Sequence, residues 1–305
     1  MIRRAYIVYP DSTPRKNNAF GWFEEAALEN GFIPEFFFYK GASLPSELAQ
    51  APLPNIVLMR GYNLAIGRYF EKNGVMVINP SQAMEWCRDK YRTFLKLSDA
   101  DLPTPWTSSP MSIEQAGKRG FDSLCDCVGN SRFILKQNFG SKGENVYLIT
   151  SGKSFDEALG ECEKTLQKRL AQGNGEDIEN GCSKEEILTG GALIVQKYIE
   201  SSFGKDIRVW VMREKVVGHI LRYNANSFKS NFAAGGSFRQ IPLPPECASL
   251  AISATRTMGL DFAGIDLLYD SDGFTICEVN GNPGFRTCPT DLPRAIFSAL
   301  RNETD

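Results

Sequence analysis

The segment that most constrains this chain is Phe262 to Phe285, FAGIDLLYDSDGFTICEVNGNPGF. Phe262–Tyr269 is rich in Ile, Leu and Phe and reads as a strand. Asp270-Ser271-Asp272-Gly273 is a turn signal, because Gly takes positive φ without cost. Phe274–Val279 reads as the returning strand. Three polar residues interrupt this apolar hairpin: Asp266, Glu278 and Asn280. Glu278 and Asn280 are two apart and share a face. A three-residue loop, Ser271-Asp272-Gly273, pairs Tyr269 with Thr275 and, followed along the ladder, Asp266 with Glu278. A four-residue loop sends the two acids to opposite faces. Directly opposed carboxylates repel, so the first register makes sense only with positive charge between them. Magnesium suits that place, being hard, oxygen-liganded and commonly held by one or two carboxylates and substrate phosphates. The run Asn280-Gly281-Asn282-Pro283-Gly284 adds a tight turn beside the acids.

The pattern D-x(11)-E-x-N, followed by a Pro-Gly turn, resembles the metal-binding end of ATP-grasp ligases. The wording CEVNGNPGF is most similar to the RimK-like branch. The resemblance implies a Rossmann-like N-terminal domain, residues 1–89, ahead of a two-lobed ATP-grasp fold, α/β overall and α+β in its ATP-grasp part. Residues 90–196 would form the lid and central part, and residues 197–305 the part with the metal site. It implies ATP with Mg²⁺ or Mn²⁺ held by Asp266, Glu278 and Asn280.

The rest of the chain fits. Residues 1–80 alternate strand and helix, which argues for a parallel sheet. There is no G-x-G-x-x-G, so a dinucleotide site is not supported. Arg60 follows a strand, where open parallel sheets place ligands, and is a candidate substrate anchor. The spacing predicts one helix over Gln82–Ser98 containing Arg88-Asp89-Lys90. N-P-x(7)-R-D-K resembles the family's entry to the nucleotide site, which gives Lys90 a phosphate-binding role. Phe133–Gln137 reads as a strand carrying Lys136, and glycines flank Ser-Lys in the loop after it. Such a loop lets backbone N–H groups approach phosphate. By resemblance, Lys136, Gly140, Ser141 and Gly143 are the nucleotide lysine and the phosphate-covering loop. Ser154 and Glu157 have capping-box spacing at the start of a helix. Residues 171–191 are Gly-, Asn- and Glu-rich and read as a mobile insertion.

Leu193–Ile199 matches the family's adenine hinge, so Gln196, Lys197, Tyr198 and Ile199 are nucleotide candidates. Lys197 stands where an acidic residue is commoner. Asp206 matches a nucleotide position and shares a face with Arg208. Arg forks onto carboxylate or phosphate, so Arg208 and Arg286 are the candidates for the anionic intermediate and an acidic substrate. Lys229 stands where the family more often has Arg, beside Asn231, and both are placed at the nucleotide.

Composition excludes several alternatives. The 305 residues carry a formal net charge of −2, which offers no basic surplus for nucleic acid. No apolar run reaches bilayer length. MIRRAYIVYP reads as a first strand rather than a signal peptide. The eight cysteines are irregularly spaced, as expected of reduced thiols in a cytoplasm. His219 is the single histidine, which leaves little room for a Ser-His-Asp triad or a His-rich zinc site. The resemblance implies amide formation through an acyl phosphate, from a carboxylate and an amine, either an amino acid or a peptide. Glutamate or aspartate is favoured as amine donor. D-alanine–D-alanine ligases typically carry Arg two residues before the first aspartate, and Gly264 stands there, which disfavours them. A ribosomal-peptide-modifying enzyme, a nucleotide-binding module without ligase activity and a homo-oligomer remain open.

Overall fold

The structure, a computed structural model, describes residues 3–14, 18–140, 145–171, 192–231 and 235–301. The described strands form three sheets. The first holds β1 (Arg3–Pro10), β2 (Phe32–Tyr39), β3 (Ile56–Met59) and β4 (Met76–Ile78), in the order β2-β1-β3-β4 and all parallel. Parallel neighbours need crossovers, here α1 (Asn18–Glu29), α2 (Ser46–Gln50) and α3 (Leu64–Lys72). Ala5 to Tyr9 are buried in succession, as expected for a strand covered on both faces. Val8 aligns with Met59, so Tyr9 and Arg60 emerge side by side at the carboxyl ends of adjacent strands.

The predicted helix over Gln82–Ser98 is two helices, α4 (Ser81–Arg88) and α5 (Lys90–Asp99). Asp89 leaves helical geometry, and its carboxylate accepts from Arg92 N to cap α5. The reason is local: an Asp at an N-cap satisfies a backbone donor that would otherwise be orphaned. Lys90 therefore starts a helix rather than riding inside one. The second sheet holds β5 (Phe133–Gln137), β6 (Val146–Ile149) and β7 (Leu193–Lys197), in the order β6-β5-β7. It packs on α6 (Ile113–Val128) and α7 (Gly152–Ala171) around Phe133, Leu135 and Phe155. The capping box of α7 lies one turn earlier than predicted. Ser151 Oγ accepts from Ser154 N, and Ser154 Oγ accepts from Ser151 N. Most of the proposed insertion, residues 172–191, lies outside the described residues.

The third sheet is antiparallel, in the order β10-β9-β8-β11-β12, from β8 (Lys205–Met212), β9 (Lys215–Tyr223), β10 (Ser237–Arg239), β11 (Phe262–Asp270) and β12 (Gly273–Asn280). Its two faces bury different cores. Ile207, Val209, Val211 and Ile265 face α8 (Pro245–Thr257). Trp210, Met212, Ile220 and Phe262 face the first sheet and α9 (Leu292–Leu300), in one cluster with Ile7, Phe23 and Phe297. Asn79 ties the same joint. It accepts from Asp261 N and Phe262 N at 2.9 and 2.7 Å and donates to Phe262 O and Gly281 O at 2.7 and 2.6 Å. The end of the first sheet is thus held against the start and finish of the hairpin.

Candidate active site

Asp266 and Glu278 form one rung of the β11–β12 ladder, by a route different from the predicted one. The turn has two residues, with Asp270 paired to Gly273 and Tyr269 to Phe274. Counting straight from that turn would oppose Asp266 to Cys277 and put Glu278 on the other face. A register shift between Asp266 and Leu267 takes up one residue and restores the rung. The neighbouring hairpin does the same. Met212 pairs with Lys215, the ladder shifts between Trp210 and Val211, and Arg222 then lies opposite Asp206. Two bulges, each one residue long, therefore deliver Glu278 and Arg222 to the face that carries Asp206, Arg208 and Asp266. Re-aiming a side chain is what a bulge does.

On that face the charges cross-link between strands. Asp206 and Arg208 share a face of one strand, but each bonds across to a neighbouring strand. Arg208 forks onto Asp266 through Nε and Nη2, the latter at 2.7 Å from Oδ2. Arg222 forks onto Asp206, with Nε at 2.7 Å from Oδ1, and its Nη2 also reaches Asp266 Oδ2 at 2.9 Å. Two acids and two guanidiniums make a neutral quartet, each side chain no more than 12% exposed. Burial alone would raise the Asp266 carboxyl. Arg208 and Arg222 outweigh it and hold the group below the usual carboxylate range. The positive charge demanded by Asp266 is the protein's own. Arg222 was not singled out from sequence, because its place depends on the bulge.

Glu278 differs. Its carboxylate makes no hydrogen bond or ion pair among the described residues, and Asn280 donates to Gly264 O at 3.3 Å, which leaves its amide oxygen as an acceptor. Lys90 and Lys136 lie within electrostatic reach of one another, and Glu278 acts on Lys90. Lys90 Nζ donates to Gly140 O at 2.9 Å, and burial pushes its ammonium down to about 8, partly offset by Glu278. Lys136 is buried and donates to Gln196 Oε1 at 2.8 Å, while Gln196 Nε2 donates to Thr107 Oγ1 at 2.9 Å. Asn138, unnoticed in the sequence, joins these parts. Its carbonyl and side-chain oxygens accept from Lys90 N and Tyr91 N, and its amide donates to Asp89.

Among the hinge residues, Tyr198 and Ile199 are buried, and Lys197 is exposed with its backbone N–H donated to Trp106 O at 2.9 Å. Gly140 has φ 140°, a conformation that favours glycine, whereas Ser141 and Gly143 lie outside the described residues. Lys229 is lowered by burial, and Asn231 O accepts from Gly236 N at 3.2 Å. Gly264 is obligatory on packing grounds. A Cβ there would meet Pro283 Cβ at 2.6 Å and Arg208 Nη1 at 3.3 Å. Arg208 already fills the space that an arginine at 264 would need.

Between the first and third sheets lies a cleft of about 350 Å³, lined by Tyr9, Arg60, Arg208, Phe285, Arg286 and Thr287 among others. The structure brings Arg208, Arg286 and Arg60 to one space. Arg286 is exposed there. As a test of metal fit, Glu278 and Asn280 offer hard oxygen donors suited to Mg²⁺. Asp266 has both oxygens engaged by guanidiniums and joins such a set only when Arg208 turns away.

Residues 87–296 match the RimK-like ATP-grasp domain, well over half of the chain. The chain belongs to the RimK-like ATP-grasp family. A probable alpha-L-glutamate ligase of Legionella pneumophila (strain Corby) is 30% identical over 253 residues, covering 82% of this chain and 74% of that protein. The ATP-grasp ligase PsnB, solved with a phosphomimetic variant of its minimal precursor, Mg and ADP, superposes with a TM-score of 0.64 at 17% identity, covering 100% of this chain and 99% of PsnB. A D-alanine–D-alanine ligase from Bacillus anthracis superposes with a TM-score of 0.66 at 15% identity, covering 99% and 97%. The expectation of an ATP-grasp fold is borne out. Among the described residues of this RimK-like chain, no helix is long and apolar enough to cross a membrane.

Proposed function

We propose that this chain is an ATP-dependent ligase that joins a carboxylate to an amine through an acyl phosphate, with an acidic amino acid as one substrate. The substrate carboxylate attacks the γ-phosphorus and releases ADP. The amine then attacks the acyl carbon, and phosphate leaves, which yields the amide. No nucleophilic side chain is required. The chain's work is to position the reactants and stabilise charge. Lys90 and Lys136 offset phosphate charge, with Lys229 as a third cation. Arg208 is held in place by Asp266 and presents its remaining edge to the anionic intermediate. Glu278 and Asn280 would hold Mg²⁺, while Asp266 stays engaged with Arg208 and Arg222 and would join the set only with Arg208 turned away. Bound there, the ion would neutralise the phosphates and orient them for in-line attack. Gln196 to Ile199 would hold the adenine, with Asp206 and Asn231 at the nucleotide's edge.

The observation that carries this reading is the carboxylate of Glu278, without a hydrogen bond or ion pair among the described residues, on a rung whose other acid is fully paired. An unpaired acid beside buried lysines is poised for a ligand. The cleft, of roughly 350 Å³, has room for an amino acid beside Arg208 and Arg286. The test is ADP release from ATP and Mg²⁺ with panels of acids and amines. Release should require both partners, and acid plus hydroxylamine should give a hydroxamate. ATP hydrolysis that ignores both partners would remove the ligase reading.

A further inference from the structure

We propose that Tyr9 and Arg60 form a dedicated oxyanion site in the wall of the cleft, holding a second acidic group of a small dianionic substrate. This deepens the ligase reading and rests on it for the substrate's chemistry. The Tyr9 hydroxyl is buried and has no hydrogen-bond partner among the described residues, and neither has Arg60 Nε. Tyr9 is only 6% exposed. Arg60 gives one N–H to Pro283 O at 3.2 Å and packs its guanidinium 5.2 Å from the Phe285 centroid and 5.7 Å from that of Phe23. Rings and a carbonyl hold the group in place without neutralising it, and the described residues of the cleft lining include no Asp or Glu.

Two buried donors left open beside each other are costly. The strand register sets Tyr9 and Arg60 against each other, with the guanidinium towards the phenol oxygen and the phenol proton undonated among the described residues. The group that accepts from a guanidinium edge and a phenol together is an oxyanion. Arg208 is already offset by Asp266, whereas no acid stands beside Arg60 among the described residues of the lining. An acidic substrate whose reacting end lies at Arg208 therefore sets its second acidic group at Tyr9 and Arg60, and a cleft of about 350 Å³ has room for an amino acid. Carboxylate and phosphate share this chemistry.

The test is direct binding to the full chain by calorimetry, with L-glutamate, L-aspartate, glutarate and O-phospho-L-serine set against L-glutamine, L-asparagine and L-serine. At least one dianion should bind tenfold or more tightly than its neutral counterpart, and the phosphoserine arm separates phosphate from carboxylate. Arg60→Met should cut that preference at least tenfold, Arg60→Lys should restore part of it, and Tyr9→Phe should weaken it severalfold. Tyr9→Phe removes one hydroxyl and keeps the buried ring, so folding is preserved, and nucleotide affinity should not move in any variant. Equal binding of acid and neutral partner, no binding of any dianion, or an undiminished preference in Arg60→Met would overturn the site. Loss of the preference in Arg60→Met without ADP release from any acid–amine pair would remove the ligase reading and leave this site standing.

Discussion

Two groups of charged side chains share one region of the molecule, and they are built on contrary principles. The quartet of Asp206, Arg208, Arg222 and Asp266 is closed. Two acids meet two guanidiniums, and the hydrogen bonds run within the group. Around it lie groups left open among the described residues: Glu278 without a hydrogen bond or ion pair, Lys90 with a depressed ammonium, and Arg60 and Tyr9 with donors unused. Closed clusters hold shape. Open ones spend stability to keep a place for something that is not protein. The difference teaches where ligands belong, because evenly satisfied charges have nothing further to bind.

The sharpest way to break this contrast is Arg222→Met. It leaves Asp206 buried and unpaired and removes one of two supports of Asp266. Unfolding stability should fall by about 3–5 kcal/mol, measured by urea denaturation at neutral pH. A loss under 1 kcal/mol would mean that the quartet is not a structural keystone. Next comes Glu278→Gln, on the open side. It should lower kcat by about 10²–10³-fold and leave the urea midpoint unchanged, since no contact is lost in the fold. Ordinary turnover would detach Glu278 from the chemistry.

Lys90 gives a pH signature. Its ammonium is depressed to about 8 by burial, so the folded protein resists protonating it. Between about 8 and its unfolded value near 10.4 the folded state binds fewer protons, and this group's contribution to stability rises with pH. Phosphate favours the charged form, so nucleotide affinity should weaken as pH climbs through 8. Lys90→Met should abolish that inflection and cost about 1.5–3 kcal/mol of affinity below it, read by titration from pH 7 to 9.5. Smallest is Gly264→Ala, at the seam between the closed and open groups. Its Cβ would press on Pro283 and Arg208. A destabilisation of about 1–3 kcal/mol is expected, with Arg208 displaced and kcat reduced. Wild-type stability would show that the seam has slack.

Much of the site was legible in the sequence, and the reason is spacing. Asp266, Glu278 and Asn280 stand out because polar residues break apolar strands, and Lys136 because it sits within one. The Gly264 argument against an arginine there acquired a steric cause in the packing of Pro283 and Arg208. The rest depended on register. The hairpin turn was read one residue too long, and the Asp266–Glu278 rung survived only because a bulge of one residue makes up the difference. Arg222 was invisible for the same reason. Asp89 was read as interior to a helix because periodicity sees apolar faces, whereas a cap is a single hydrogen bond to Arg92 N.

The order of elements, the acids on the hairpin and the lysines that precede them were determined by local pattern alone, since alternation, turn residues and charge are properties of neighbours in the chain. Which charge meets which was decided only in three dimensions. Two bulges turn Arg222 and Glu278 onto one face, and packing the first sheet on the third brings Tyr9 and Arg60 to Arg208. Pairing of ions separated by many residues is set by strand register and by the core that locks it, and neither is written at any one position.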